Sequence, residues 1–328
     1  MLTRRQILLA PLLLTACGRR DGSRPLFTAD THPDEYPTVQ ALHEIDRVLD
    51  RRTNGEMRLR IYAGGQMGAE KDTLEITIFG GLDLNRVNLA PLNSIVPETI
   101  VLALPFLFRS VAHSRQAFDG ASGQKILDAM SPHGMKGLCY YDSGARSFYN
   151  TKRPIRTPED LRGLKIRVQN SDIYVAMVQA LGANPTPIPY GEVYQALVQG
   201  VVDGAENNWP SYESSRQYEV ARHYSITRHV LAPEVLVASQ LRWDKMPAEE
   251  QEHLQAAVDE SVPFMRNLWD QRVADSRSRV LKDGIQLVED VNHEEFVKRM
   301  LPVWDRFLTT PALKELAQEI MDLETDDG

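Results

Sequence analysis

GARSFYN at residues 144–150, LRGLKIRVQNS at 161–171 and LGANPTPIPYGEVYQALVQGVVDGAENNW at 181–209 decide the fold of this 328-residue chain. Each segment contains a short strand-like run that stops at polar residues. Arg146, Arg167 and Asn207 lie on or beside these runs. Because ligands of α/β proteins bind at the carboxyl ends of strands, two guanidiniums and an amide delivered there can hold a small carboxylate. This stretch contains no evident nucleophile–base pair or metal cluster. The pattern therefore indicates binding of a ligand without catalysis.

The flanking sequence extends the same pattern. Strands predicted at 57–62 and 82–89 flank a helix, which implies α/β layers with short connections. One helix is predicted over 114–130. Residues 248–281 are almost wholly helical in pattern, with Pro263 expected as a kink or break. A helix of this length often spans two lobes, and a chain that builds one lobe, then another, and returns is the usual plan of a two-lobed binding cleft.

Length and composition restrict the function further. A chain of 328 residues exceeds one typical core and indicates two lobes. The net charge of −8 argues against nucleic acid or an anionic membrane as the main partner. The sequence contains none of the common enzyme motifs: no nucleophile elbow, Walker loop, zincin motif, dinucleotide fingerprint or Cys/His cluster. We therefore expect a protein that is not an enzyme and has no cofactor and no metal site.

The N-terminus has the pattern of an export signal. Arg4 and Arg5 precede a short apolar run at 7–14, and Leu14-Thr15-Ala16-Cys17 follows. This resembles a bacterial lipobox, so we expect residues 1–16 to be a signal peptide and Cys17 to be the lipidated first mature residue. An ordinary secretory signal cleaved nearby is the alternative.

Removal of the signal peptide changes the charge and the cysteine count. The mature chain loses two arginines, so its net charge becomes −8 − 2 = −10. Cys139 is then the only cysteine other than Cys17, and an internal disulfide between structural cysteines is excluded. Residues 17–25 are polar and are expected to form a flexible tether.

Each clamp candidate has an ordinary structural alternative. Arg167 near the end of KIRV is followed by a polar turn, where a flat guanidinium fork can hold a carboxylate or pair with a loop acid. Arg146 follows the glycine of GAR, and by itself it is as consistent with a surface arginine. Asn207 offers two donors and one acceptor, although an Asn-Asn pair also favours a turn.

Five further residues are weaker candidates for ligand contacts. Glu70 begins a helix, where it can bind sugar hydroxyls or merely favour the helix dipole. Asn88 ends a strand, and Tyr190 lies in a Pro-rich loop where an aromatic ring is commonly a packing residue. Asp30 and His32 follow the first strand, where an α/β lobe commonly shows its ligand face.

At these residues the chain resembles the solute-binding proteins of tripartite ATP-independent periplasmic (TRAP) transporters. The resemblance covers several separated motifs in the right order. They are TNGEMRLRIYAGGQMGAEKDTLE at 53–75, GGLDLNRVN at 80–88, LPFLFRS at 104–110, YYDSGARSFYN at 140–150, the three segments quoted above, and EVARHYSITRH at 219–229.

The resemblance implies roles for particular residues. The carboxylate clamp of the family corresponds to Arg167, assisted by Arg146 and Asn207. The positions that the family often uses around this clamp fall on Glu70, Asn88, Asn170 and Tyr190, which would complete the site.

One departure from the family pattern affects the expected ligand. The usual D-G-Q-E-N-P appears as DGAENN at 203–208, and this variant is similar to a branch that includes binders of uronates such as galacturonate and glucuronate. A polar first-lobe wall of Asp30, His32, Glu70 and Asn88 suits several hydroxyls. C4-dicarboxylates are the alternative ligand class.

The resemblance also implies a fold, a location and partners. We expect an α/β, two-lobed, type II periplasmic-binding-protein-like fold with a long inter-lobe helix. Lobe I is expected over 26–143 plus 232–272, and lobe II over 144–231 plus 273–328. The protein would be periplasmic and lipid-anchored, and would deliver an organic acid to a TRAP membrane permease. A secreted lyase or hydrolase acting on sugar acids and a purely structural lipoprotein are the competing classes.

Overall fold

The computed structural model describes residues 25–324, which form two β-sheets surrounded by helices. The expected signal peptide, Cys17 and most of the tether lie outside this range. The strands in it are β1 (Leu26–Ala29), β2 (Leu59–Tyr62), β3 (Leu84–Asn88), β4 (Met135–Tyr141), β5 (Arg146–Asn150), β6 (Lys165–Val168), β7 (Asn184–Pro187), β8 (Gly204–Asn207), β9 (His223–Val230), β10 (Glu234–Ser239) and β11 (Gln286–Val288). The α-helices in it are α1 (Pro37–Arg52), α2 (Glu70–Ile78), α3 (Thr99–Leu102), α4 (Val111–Asp119), α5 (Ala121–Asp128), α6 (Asp172–Ala180), α7 (Val193–Val198), α8 (Trp209–Ser214), α9 (Gln240–Trp243), α10 (Ala248–Lys282), α11 (His293–Phe307) and α12 (Pro311–Met321).

The first sheet has the strand order β2-β1-β3-β10-β4. Strands β1, β2 and β3 alternate with helices and pair in parallel, as crossover connections require. Strand β10 comes much later in the chain and inserts antiparallel between β3 and β4. All five residues of β3 and all six of β10 are buried, because helices cover the sheet.

The second sheet has the order β11-β9-β5-β8-β6-β7. Strand β6 runs parallel to β7 and β8, whereas β5 is antiparallel to β8 and β9. The carboxyl ends of β6 and β8 therefore meet at one edge of the sheet. That edge faces the carboxyl ends of β1 and β3, and the cleft between the sheets lies there.

Three segments connect the two sheets. Residues 142–145 join β4 to β5, residues 231–233 join β9 to β10, and α10 leads from the first sheet towards β11. Helix α10 packs against α1 on the first sheet and α8 on the second. It continues through Pro263 without a break, because Pro263 is exposed and water can solvate the carbonyl that loses its partner.

Residues 111–128 form two helices, so the prediction of one helix over 114–130 is wrong. Helix α4 ends and α5 begins at Gly120, whose backbone is extended (φ −89°, ψ −175°). A Cβ at this position would lie 2.8 Å from the carbonyl oxygen of Gln116. The glycine therefore permits a sharp corner between two helices that the apolar periodicity alone does not show.

The C-terminal helix crosses back towards the first sheet. Helix α12 packs against α3 and α5, and His113 Nε2 lies 2.8 Å from the carbonyl oxygen of Ile320. We propose the division into lobes at residues 143/144 and 231/232, within the connecting segments, and at 272/273, within α10. Helix α12 covers first-lobe helices although it follows second-lobe sequence. None of the helices in the described chain is long and apolar enough to cross a membrane.

The start of β8 requires glycine, and this generates a stability prediction. A Cβ on Gly204 would lie 2.4 Å from the carbonyl oxygen of Tyr149 and 2.6 Å from Cβ of Asn150. We expect Gly204→Ala to lower the free energy of unfolding in urea by about 1–3 kcal/mol, because the sheet must shift to admit the methyl group. Gly191→Ala is the control, since its added Cβ would meet no atom within 4 Å. Equal stability of the two variants would contradict the packing argument.

Candidate functional site

A cavity of about 560 Å³ lies in the cleft between the two sheets. It continues inward into a narrower pocket, and the two share Thr31, Glu70, Gln169 and Tyr190. Arg167 and Asn170 line the outer part. The other residues of the inner pocket are His32, Asn88, Arg146, Asn207, Ser211 and Glu234. Strand ends of both sheets therefore supply the lining.

Arg167 is a buried guanidinium that no carboxylate of residues 25–324 neutralises. It is the third residue of β6 and only 2% exposed. Its Nε donates to the carbonyl oxygen of Ile188 at 2.8 Å, and in this range neither terminal nitrogen has an acceptor. Burial lowers the pKa of Arg167, and the positive charge of Arg146 adds to this, although Glu206 opposes it. The guanidinium stays charged, and its two terminal nitrogens remain available to the cavity.

Arg146, in contrast, is already engaged by a carboxylate. Its Nε and Nη2 donate to the two carboxylate oxygens of Glu206 at 2.5 and 2.8 Å, and Nη2 also donates to the Glu206 carbonyl at 2.8 Å. Burial alone would raise the pKa of Glu206, but Arg146 outweighs it and brings this pKa to about 2. The two charges therefore cancel, and one Nη1 hydrogen of Arg146 remains for the pocket.

His229 lies behind this ion pair. Its Nε2 is 3.5 Å from Glu206 Oε2, its Nδ1 is 2.8 Å from Thr227 Oγ1, and its ring stacks on Phe148 with centroids 4.2 Å apart. Burial lowers the pKa of His229. His229 therefore supports the pair structurally and does not line the cavity.

Asn207 is oriented by its neighbours. Its Oδ1 accepts from Arg146 Nη1 at 2.9 Å and from the Asn208 backbone N–H at 2.9 Å. These bonds fix which end of the amide is oxygen, and Nδ2 has no acceptor in the described part of the chain. Its two hydrogens are therefore available to a ligand acceptor beside Arg167.

The first sheet forms the opposite wall of the cleft, and Arg86 holds the acidic side chains of this wall together. This residue was not identified from the sequence. Arg86 is fully buried on β3 and binds Asp30 through Nε (2.8 Å) and Nη2. Its Nη1 donates to Glu70 Oε1 at 3.1 Å and to Glu234 Oε2 at 2.6 Å. One guanidinium is thus surrounded by three carboxylates, and this wall carries excess negative charge.

The acids of this wall differ in their exposure to the cavity. Asp30 does not line it; burial would raise the pKa of Asp30, but Arg86 overcomes this and lowers it. Glu70 does line it, and burial raises the pKa of Glu70 despite Arg86, with Glu234 contributing in the same direction. Asp30 therefore positions Arg86, whereas Glu70 and Glu234 can accept hydrogen bonds from a ligand.

Three other predicted residues surround these acids. His32 Nδ1 lies 2.6 Å from Arg86 Nη2, which leaves Nε2 towards the pocket, and the ring stacks on Tyr36 at 3.9 Å. Asn88 Nδ2 donates to Glu234 Oε1 at 3.1 Å. The Tyr190 hydroxyl donates to the Ser211 carbonyl at 3.3 Å. Their polar groups are therefore held in place before any ligand binds.

Asn170 is placed differently from the rest. It is exposed and lines the outer cavity only. Its neighbour Gln169, which we did not predict, is buried and lines both parts, and Gln169 Oε1 has no partner among the described residues.

The missed residues differ in whether the sequence contained a signal. Arg86 is two residues before Asn88 on one strand, and the strand period of two puts both on one face. Glu234 becomes a site residue only because β10 inserts beside β3. No local pattern indicates that long-range pairing.

Comparisons with known proteins agree with this geometry. The model of family 7 of the bacterial extracellular solute-binding proteins (DctP) matches residues 28–310. A solute-binding protein of Chromohalobacter salexigens is 38% identical over 295 residues, which is 90% of this chain and 88% of that protein.

Solved structures of TRAP periplasmic solute-binding proteins are also similar. One from Bradyrhizobium sp., in complex with galacturonate, is 50% identical with a TM-score of 0.90 and covers 92% of this chain and 100% of its own. Another from Xanthobacter autotrophicus, with bound β-D-galacturonate, is 44% identical with a TM-score of 0.89, covering 91% and 100%. The structure from Chromohalobacter salexigens holds D-glucuronate at 38% identity and a TM-score of 0.88, covering 90% and 99%.

The Arg146–Glu206 pair generates a pH prediction. A glutamate whose pKa falls from 4.5 to about 2 on folding contributes stability above pH 4.5 and loses it as the pH falls towards 2. We expect Glu206→Gln to lower the free energy of unfolding at pH 7 by about 3–5 kcal/mol, because Arg146 is left buried and uncompensated. The variant should also lose less stability than wild type between pH 4.5 and 2.

The control for this measurement is an exposed ion pair. Glu159 lies 2.6 Å from Arg299, with both side chains at least half exposed, so Glu159→Gln should change stability by less than about 1 kcal/mol. A Glu206→Gln variant as stable as this control would refute the buried-pair argument.

Proposed function

Since the chain belongs to family 7 of the bacterial extracellular solute-binding proteins, which serve TRAP transporters, we propose that it captures a uronate such as galacturonate or glucuronate in the periplasm. The observation that carries this proposal is Arg167, a buried cation without an acid partner in residues 25–324, facing a cavity. A carboxylate accepting two parallel hydrogen bonds from its terminal nitrogens supplies the missing negative charge.

Arg146 and Asn207 are proposed to complete the carboxylate site. The free Nη1 hydrogen of Arg146 and the Nδ2 hydrogens of Asn207 face the same pocket. Glu206 has already neutralised Arg146, so this residue adds hydrogen-bond geometry and little net charge. Arg167 therefore contributes most of the electrostatic attraction.

The opposite wall favours sugar hydroxyls over a second carboxylate. Glu70 and Glu234 are acceptors at this wall, and in residues 25–324 Arg86 is the one arginine or lysine that pairs with them and with Asp30. A C4-dicarboxylate would bring a second negative charge towards these acids, whereas the hydroxyls of a uronate donate to them. The uronates in similar structures support this choice.

Capture is proposed to occur by closure of the two lobes, without chemistry. Closure excludes water and strengthens the charge-assisted bonds to the carboxylate. Arg86 Nη2 is within hydrogen-bond distance of His32 Nδ1, and His229 is buried behind Glu206. Neither histidine is therefore arranged as a general base for a lyase or hydrolase. The closed protein would then deliver the uronate to the TRAP permease.

Calorimetric titration of the mature protein tests the ligand class. We expect galacturonate or glucuronate to bind at least about tenfold more tightly than succinate, because succinate carries a second charge towards Glu70 and Glu234. NMR spectra of the uronate should show no new product after prolonged incubation. Turnover would refute the binding-protein proposal. Preferential binding of succinate would show that the ligand is a dicarboxylate and not a uronate.

Variants at Arg167 test the clamp in the same titration. Arg167→Ala should abolish measurable binding, and Arg167→Lys should weaken it about tenfold or more, since lysine keeps the charge but loses the planar fork. Arg162→Ala, at an exposed arginine of the same segment, is the control and should bind as wild type does. Unchanged affinity in Arg167→Ala would exclude Arg167 as the carboxylate site.

We also propose that Cys17 carries a lipid that tethers the protein to the membrane. The support is the Leu14-Thr15-Ala16-Cys17 sequence followed by a polar segment. Expressed with its own leader in a Gram-negative host, the wild type should be recovered in the membrane fraction with the mass of a lipidated Cys17, and Cys17→Ser should not. Recovery of unmodified wild type in the soluble periplasm would refute the anchor.

A further inference from the structure

A second cavity, of about 350 Å³, lies among the segments that connect the two sheets. Its lining includes Gly144 from the β4–β5 connection, Arg228 from β9 and Trp269 from α10. It shares no lining residue with the cleft between the sheets. The uronate proposal therefore gives this cavity no role.

The cavity exposes an indole N–H without an acceptor. Trp269 is only 2% exposed, and its Nε1 has no hydrogen-bond partner anywhere in residues 25–324. A Cβ built on Gly144, which has φ +60°, would lie 3.2 Å from this nitrogen. The glycine thus leaves the polar edge of the indole open to the cavity, where this donor can pair with an acceptor of a bound molecule.

The cavity also carries a positive charge on Arg228, an exposed residue of its lining. Arg277 pairs with Glu289 at 2.9 Å, and Asp270 pairs with Arg115 at 2.7 Å. Arg228 has no acid partner within the described chain, although its backbone N–H donates to Ser147 Oγ at 3.2 Å. Its backbone has φ +43°, an unfavourable conformation for a residue with a side chain.

The remaining wall is flat and apolar. Trp209 is half-buried and stacks on Tyr224 with ring centroids 3.8 Å apart. Ile226 and Val273 line the same space. A planar ring can therefore lie against this wall while its polar end meets Trp269 and Arg228.

We propose that this cavity is a second small-molecule site, which takes a small organic anion with a planar apolar body. An aromatic monocarboxylate matches the lining. Its carboxylate satisfies the Trp269 N–H and pairs with Arg228, and its ring packs against Trp209 and its neighbours. Asn207 and Asn208 are adjacent in the chain but face different cavities, so the two sites are separate.

Benzoate is the probe, titrated into the mature protein and into Arg167→Ala and followed by tryptophan fluorescence and saturation-transfer NMR. We expect saturable binding with a Kd of about 1 mM or tighter, equal in the two proteins when no galacturonate is present. Benzyl alcohol, which lacks the charge, should bind at least about tenfold more weakly. The Arg167→Ala arm keeps the result independent of whether the cleft binds uronates.

Two arginines of similar backbone conformation supply matched variants. Arg228→Gln should weaken benzoate binding about tenfold. Arg216→Gln should not, since Arg216 is also exposed with positive φ (+57°) but does not line the cavity. Absence of saturation, loss of benzoate binding in Arg167→Ala, or equal losses in the two arginine variants would each overturn the proposal.

Discussion

The guanidinium of Arg167 is buried without an acid partner in residues 25–324, and the rest of the site depends on this one uncompensated charge. Burial of a cation costs several kcal/mol unless an anion compensates it. The charge of Glu206 offsets this only in part, and Glu206 makes no hydrogen bond to Arg167 in residues 25–324 because both of its oxygens bind Arg146. The only side-chain bond of Arg167 in that range goes to the carbonyl of Ile188. The protein therefore keeps an excess positive charge at Arg167, which the carboxylate of the proposed ligand would neutralise.

The two walls of the cleft have opposite electrostatic character, and the proposed orientation of the ligand rests on this polarity. Arg167 makes the second-sheet wall positive, whereas Arg86 only partly balances Asp30, Glu70 and Glu234 on the first. A molecule with one carboxylate and several hydroxyls matches both walls in a single orientation. The same polarity disfavours a ligand with a carboxylate at each end, so we propose that the walls discriminate between ligands by charge.

The sequence predicts the α/β architecture well because strand and helix periodicities are local, and the family resemblance extends it to two lobes. Local signals also predict where Arg167 lies, since the strand KIRV and its polar turn put the residue near a strand end. They do not reveal Glu206 as the partner that neutralises Arg146, nor Glu234, which reaches the site through the insertion of β10. Both depend on pairings between distant segments. The corner at Gly120 was not predicted, because the helical periodicity of apolar residues continues across it.

The Arg146–Glu206 pair links the ligand site to the connections between the sheets. Arg146 is the first residue of β5, directly after the 142–145 connection, and it pairs across the sheet with Val230, the last residue of β9. Its side chain also fixes the amide of Asn207. Asn207 therefore cannot move independently of the point where the chain enters the second sheet. In the proposed complex, a carboxylate bound by Asn207 and Arg167 would act on a unit that ends at the inter-sheet connections, and a small ligand would thereby bias the relative position of the two lobes.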